Sequence, residues 1–129
     1  MNRHILMLLT CFVYTTASFA QSFTVVPLGV KGGLDESNLS AYMVAAKGTN
    51  DYICLDAGTL YSGIRKGVEL GTFPPPASLV LRSTIKGYFI SHPHLDHVAG
   101  LIINSPDDSS KNIYGLSACL SILKDKYFS

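Results

Sequence analysis

Hydrophobic and polar positions along the chain follow two different periods, and each change of period marks a new secondary-structure element. Short apolar or alternating runs rich in β-branched and aromatic residues predict strands. Five such runs cover residues 23–28, 41–46, 51–55, 85–91 and 112–114. Residues 47–50 join the second run to the third and contain Gly48 and Asn50, which favour a turn. These two strands are therefore expected to form a hairpin.

Apolar residues at helical spacing predict three helices. The first follows Thr59, which is placed to cap the helix N-terminus, and its apolar face carries Leu60, Ile64, Val68 and Leu70. The second covers residues 98–103, and the third begins near Ala118 and continues to the end of the sequence. Strands followed by alternating strands and helices favour an α/β fold, with helices covering at least one face of a sheet.

Residues 1–20 have the pattern of a secretory signal peptide. A basic Arg3 precedes an apolar stretch, and the small residues Ser18 and Ala20 precede Gln21 at the expected cleavage point. The apolar stretch is short and contains threonines, so no stable membrane anchor is expected. Cys11 lacks the small preceding residue of a lipidated cysteine. We expect residues 21–129 to be exported, either to the periplasm or out of the cell.

Composition and charge narrow the class of protein. A chain of 129 residues that is 47% hydrophobic and 15% charged is typical of one globular domain. Nine basic and nine acidic residues balance over residues 21–129, which gives no electrostatic basis for binding nucleic acid. Cys54 and Cys119 could pair in an oxidising compartment. The apolar strand around Cys54 instead favours two small, buried, unpaired residues.

The histidines carry the strongest chemical signal. All three histidines of residues 21–129 lie within residues 92–97, directly after an apolar strand, together with Asp96. Imidazoles and carboxylates are ligands that zinc prefers. In an extended segment His92 and His94 share a face, whereas a turn through Leu95 redirects Asp96 and His97, so two adjacent metal positions are expected. Two ions about 3.5–4 Å apart can hold a hydroxide between them and stabilise a phosphoryl or carbonyl centre under attack.

Two simpler interpretations of this segment stay open. The histidines could form a surface cluster at a turn, with Asp96 capping the following helix. They could also hold a single ion, in a mononuclear or purely structural site.

The order His-x-His-x-Asp-His resembles the metal motif of the metallo-β-lactamase superfamily. The longer string SHPHLDHVAGLIINSP, residues 91–106, resembles the signature of the class II cyclic-nucleotide phosphodiesterases. Upstream, LGVKGGLDESNLSAYMV and YICLDAGTLYSGI resemble that family's opening strand with its glycine loop and its strand ending in Asp-Ala-Gly. The resemblance implies that residues 21–129 are the N-terminal part of a four-layer αβ/βα metallo-β-lactamase-type sandwich, incomplete in this chain.

The resemblance also implies an activity, the metal-dependent hydrolysis of 3′,5′-cyclic nucleotides, cyclic AMP above all, to 5′-monophosphates. Two divalent ions, usually zinc, would be the cofactors. His92 and His94 would bind the first ion, and Asp96 and His97 the second. Asp96 would also orient the attacking hydroxide, as the catalytic residue. The family's remaining ligands lie downstream of the motif, whereas no histidine follows His97, so this piece alone is expected to be inactive, either as part of a longer enzyme or as a degenerate product.

Alternatives remain for both the function and two local features. The chain could be another hydrolase of the same superfamily, such as a lactamase or lactonase, or a non-catalytic periplasmic metal-binding module. Asp56 could orient a ligating histidine or cap the helix near Thr59. The glycine loop of residues 29–33 could cradle a phosphate, but a tight turn explains it without a ligand. The oligomeric state is left open.

Overall fold

The computed structural model describes residues 22–129, so the predicted signal peptide lies outside the described residues. The described part is a five-stranded sheet with helices. The strands are β1 (Phe23–Gly29), β2 (Ala41–Ala46), β3 (Tyr52–Leu55), β4 (Ile85–Phe89) and β5 (Asn112–Tyr114). The helices are α1 (Tyr61–Glu69), α2 (Ala77–Leu79, continued by a π-helical turn over Val80–Thr84), α3 (Leu95–Asn104) and α4 (Ser117–Tyr127).

The sheet is mixed, with the strands arranged in chain order from β1 to β5. Strands β1, β2 and β3 are antiparallel neighbours, and β4 and β5 run parallel to β3. Cys54 pairs with Tyr88 and Leu55 with Phe89, so β3 and β4 end at the same edge of the sheet. That edge is where open α/β sheets bring functional loops together.

One face of the sheet forms the core. Alternate residues of the strands, among them Met43, Cys54 and Tyr88, are buried in a single cluster with Ile64 of α1 and Val98 of α3. Alternation along the strands places the intervening side chains on the opposite face. The helices therefore cover one face, as the α/β pattern predicts.

The opposite face keeps a row of large apolar side chains in contact with solvent. Pairing across the strands puts the members of this row on one surface, and each is 40–60% exposed: Phe23, Val25, Leu55, Phe89 and Tyr114. We call this row the open face. Among residues 22–129, no helix is both long and apolar enough to cross a membrane.

The predicted strands are confirmed, with differences at their ends. β2 and β5 have the predicted bounds, but β4 ends at Phe89 instead of Ser91. The amide of Ser91 leaves the sheet because it donates to the Asp56 carboxylate, at 2.8 Å. The helical segment over residues 77–84 was not predicted, because eight residues after three prolines carry too little periodicity.

Three details of the helix predictions are wrong. Thr59 does not cap α1, since its hydroxyl accepts the amide of Leu39 at 2.7 Å and α1 begins at Tyr61 without a side-chain cap. Leu70 follows α1 and is exposed. The second helix begins at Leu95 instead of residue 98, so Asp96 and His97 lie in its first turn and not in a loop.

The cysteine prediction is confirmed. Cys54 and Cys119 are both buried and carry free thiols. Burial, and to a lesser extent the nearby Asp56 carboxylate, raise the pKa of the Cys54 thiol to about 12.

Candidate metal centre

The site lies where β3 and β4 end side by side. Asp56 follows β3 directly, and its amide donates to the carbonyl of Phe89, the last residue of β4, at 2.8 Å. Its backbone is left-handed, with φ of 54°. Aspartate tolerates this conformation better than most residues, and the turn aims its carboxylate at the segment that follows β4.

Three of the four predicted ligands come together. One donor atom from each of His92, Asp96 and His97 lies within 4.8 Å of the others, and all three residues are half-buried. The Nε2 atom of His97 is 3.4 Å from Oδ2 of Asp96. The rings of His92 and His97 have centroids 3.8 Å apart.

His94 lies outside this group of three. It occupies the position before α3, is exposed, and sets its ring edge against His92 with centroids 4.9 Å apart. The segment thus turns into a helix one residue after His94, and this turn carries Asp96 and His97 back toward His92.

Helix α3 is attached to the loop after β3 through main-chain hydrogen bonds. Ala57 donates to the carbonyl of His97 at 2.8 Å, and Gly100 donates to the carbonyl of Gly58 at 2.8 Å. A side chain at Gly100 would overlap this loop, because its Cβ would lie 2.7 Å from the carbonyl oxygen of Ala57. The glycine lets the helix approach closely enough to hold Asp96 and His97 beside Asp56.

Asp56 orients a candidate ligand and does not cap a helix. Its Oδ2 atom accepts a hydrogen bond from Nδ1 of His97 at 2.8 Å, and Oδ1 accepts the amide of Ser91 at 2.8 Å. Of the two interpretations that the sequence leaves open for this residue, the structure agrees with the first.

The donor set fits a divalent cation. An ionised carboxylate only accepts hydrogen bonds, so Nδ1 of His97 donates to Asp56, and in the neutral imidazole Nε2 then presents a lone pair. This lone pair and the Asp96 carboxylate face each other at 3.4 Å, and a cation between them would satisfy both. Three protein donors of imidazole and carboxylate type match the number and kind that catalytic zinc sites use.

A cavity of about 620 Å³ adjoins Asp96. Its walls are mainly apolar and include Leu39, Tyr61 and Ile103, with Glu36 and Asn104 as polar groups. The glycine loop also lies beside the site, since a Cβ at Gly33 would come within 4 Å of the Asp96 carboxyl group. The size and lining suit a small organic ligand positioned next to the carboxylate.

Sequence reasoning missed Ser91. Its hydroxyl lies 2.9 Å from Oδ2 of Asp56 and 3.0 Å from Nδ1 of His92. The available signal was a polar residue placed between an apolar strand and the first histidine.

Comparison with known proteins shows that the chain is similar in sequence to cyclic-nucleotide phosphodiesterases. The family described as cAMP phosphodiesterases class-II matches residues 19–129. A 3′,5′-cyclic-nucleotide phosphodiesterase of Aliivibrio fischeri is 43% identical over 133 residues, covering 95% of this chain and 40% of that protein. A probable 3′,5′-cyclic-nucleotide phosphodiesterase of Yersinia pestis is 41% identical over 118 residues, covering 84% of this chain and 34% of that protein. The chain thus spans about two fifths or less of the length of these curated relatives.

Solved structures support the predicted fold. The crystal structure of unliganded yeast PDE1 superposes with a TM-score of 0.71 at 21% identity, over 85% of this chain and 46% of that one. The metallo-beta-lactamase fold protein YhfI from Bacillus subtilis gives a TM-score of 0.52 at 19% identity, over 81% of this chain and 41% of that one. The α/β metallo-β-lactamase fold is confirmed, and the chain covers part of it.

Proposed function

The chain belongs to the class-II cAMP phosphodiesterase family, and on that premise we propose that the protein hydrolyses 3′,5′-cyclic nucleotides to 5′-nucleoside monophosphates. Relatives from Aliivibrio fischeri and Yersinia pestis carry names with this activity. The observation that carries the proposal is the convergence of His92, Asp96 and His97 at the end of β4, inside the segment that the family matches.

The proposed cofactors are two divalent ions, with zinc favoured by the imidazole and carboxylate donors. When bound, such ions supply a water that is deprotonated near neutral pH and positive charge beside the phosphoryl group. His92, Asp96 and His97 would hold them from this chain, with His94 as the exposed fourth ligand. Two ions would need further ligands besides these four residues.

The chain's own residues have separate roles in the proposed reaction. The oxygen of water bonds to phosphorus, the bond from phosphorus to the 3′-oxygen breaks, and that oxygen takes a proton. Asp96 lines the cavity, and its carboxylate would accept a hydrogen bond from the attacking water and so fix the direction of that water. Asp56 holds the imidazole of His97 through Nδ1, which keeps Nε2 free to bind.

The direct test is hydrolysis by the full-length protein. We expect release of 5′-AMP from cyclic AMP, complete loss of turnover with a chelator, and recovery after zinc is added back. Asp96→Ala should reduce turnover by about 100-fold or more, while Asp107→Ala, an exposed aspartate outside the site, serves as the matched control.

Two comparison substrates separate the proposal from its alternatives. A protein that hydrolyses nitrocefin or a lactone faster than any cyclic nucleotide is a different hydrolase of the superfamily. A protein that binds metal but turns over none of these substrates is a binding module. Either outcome contradicts the proposed activity.

We also propose that the protein acts outside the cytoplasm, in the periplasm or beyond. The support is the pattern of residues 1–20, with a basic start, an apolar stretch and small residues before Gln21. Amino-terminal sequencing of the protein recovered from cell fractions tests this. A mature chain that begins at Gln21 in the periplasmic fraction is the expected result, whereas an uncleaved cytoplasmic protein contradicts it.

A further inference from the structure

Ser91 joins Asp56 to the first histidine of the cluster. The Asp56 carboxylate receives three hydrogen bonds, two of them from Ser91. The amide of Ser91 donates to Oδ1 at 2.8 Å, its hydroxyl lies 2.9 Å from Oδ2, and Nδ1 of His97 lies 2.8 Å from Oδ2. The same hydroxyl lies 3.0 Å from Nδ1 of His92.

The number of protons available fixes the direction of every one of these bonds. An ionised carboxylate accepts only, so the single hydroxyl proton of Ser91 points to Asp56. The hydroxyl oxygen can therefore only accept a hydrogen bond from His92. Nδ1 of His92 must therefore carry a proton, and in the neutral imidazole Nε2 of His92 is then without one.

The imidazoles of His92 and His97 are thus held in the same Nδ1-protonated tautomer through different hydrogen bonds. Asp56 contacts His97 directly, whereas it reaches His92 only through the Ser91 hydroxyl. The contact between Ser91 and Nδ1 of His97 is long, at 3.5 Å, so His97 does not depend on the serine.

We propose that Ser91 is a positioning residue that links Asp56 to His92 by hydrogen bonds. Its hydroxyl donates to Asp56 and accepts from His92, and this holds His92 in the Nδ1-protonated tautomer with Nε2 available to bind metal. The inference rests on the proposed metal site for its purpose. The tautomer itself is a property of the metal-free protein and does not depend on the substrate.

Nuclear magnetic resonance of metal-free, full-length protein tests the proposal. Histidine is labelled with ¹⁵N, and long-range ¹H–¹⁵N correlations are recorded at a pH about two units above the value near 6.5 that is usual for imidazole. His92→Gln and His97→Gln variants assign the resonances. We expect both His92 and His97 to be protonated at Nδ1. A wild-type His92 protonated at Nε2 overturns the proposal without any variant of Ser91.

Variants of Ser91 give a second, independent arm. Ser91→Ala should release His92 into a mixture of tautomers while His97 keeps its Nδ1 proton, and zinc affinity should fall about tenfold. Ser91→Thr, which keeps the hydroxyl at an exposed position, should restore both readouts. An unchanged His92 tautomer in Ser91→Ala, or equal effects of alanine and threonine, contradicts the proposal.

The outcome also separates this inference from the proposed activity. A protein with the expected tautomers that hydrolyses no cyclic nucleotide keeps the role of Ser91 and loses the function. A phosphodiesterase in which Ser91→Ala leaves His92 unchanged keeps the function and loses this inference.

Discussion

Replacement of Gly100 by alanine tests whether close packing of α3 places the metal ligands. Gly100 faces the loop after β3, and a Cβ there would lie 2.7 Å from the carbonyl oxygen of Ala57, 2.7 Å from Cβ of Leu60 and 2.8 Å from the carbonyl oxygen of Gly58. Ordinary contacts begin at 3.4 Å. Two of these three atoms belong to the backbone, so the helix must move away by about 0.7 Å.

The displacement of the helix is expected to lower both the stability of the protein and the turnover at the site. Alanine favours a helix over glycine by about 1 kcal/mol, but overpacking of this kind costs about 1–3 kcal/mol. The hydrogen bond from Gly100 to Gly58 and that from Ala57 to His97 would both lengthen. Because the same helix carries Asp96 and His97, a shift approaching 1 Å is expected to reduce turnover by up to about 100-fold.

The assay compares Gly100→Ala with Gly33→Ala in the full-length protein, by cyclic AMP turnover, zinc titration and thermal unfolding. Gly33 also lies beside Asp96, but its added methyl group would make ordinary contacts at 3.9 Å or more. We expect Gly33→Ala to keep the zinc affinity and the unfolding temperature of the wild type. We expect Gly100→Ala to lower both. Equal behaviour of the two variants would refute the packing argument.

Three further predictions concern the carboxylate and two buried groups. Asp56→Asn should weaken zinc binding about 10- to 100-fold, because an amide nitrogen cannot accept the bonds from Ser91 or His97; unchanged affinity in a titration would contradict this. Cys54 should resist alkylation in the native protein, and its contribution to stability should be complete below pH 9 and decline between pH 9 and about 12, because its folded pKa is raised above the ordinary 9.0. Mass spectrometry after iodoacetamide treatment checks the first point, and urea midpoints against pH, with Cys54→Ala as control, check the second. Tyr88→Phe should lower the free energy of unfolding by about 1–3 kcal/mol, since the buried hydroxyl donates to Asp108 at 2.7 Å. A urea midpoint equal to that of the wild type would show that this hydrogen bond does not stabilise the fold.

The sequence predicts what is local in this molecule. Strands β2 and β5 follow from short apolar runs, and the four candidate ligands follow from a six-residue window. The sequence grouped His92 with His94, whereas the structure groups His92 with Asp96 and His97. One turn of helix is enough to bring these residues together, so no distant contact is needed to recognise them.

The sequence did not predict the roles of residues that depend on contacts between distant parts of the chain. Ser91 and Asp56 are 35 residues apart and meet only because β3 and β4 are parallel neighbours. Thr59 was predicted as a cap from its position alone, but the amide of Leu39, 20 residues earlier, takes its hydroxyl. Local patterns identify the candidate ligands, whereas the groups that orient them follow from sheet topology.

The open face of the sheet has a practical consequence for preparing the protein. Residues such as Phe23, Leu55 and Phe89 expose large apolar side chains to water on this face, and exposed apolar surfaces adhere to one another. Residues 22–129 produced on their own in bacteria are therefore expected to collect in inclusion bodies. Replacing Leu55 and Phe89 with glutamate would add charge without touching the buried side, and it is the first change to make when soluble material is needed for spectroscopy.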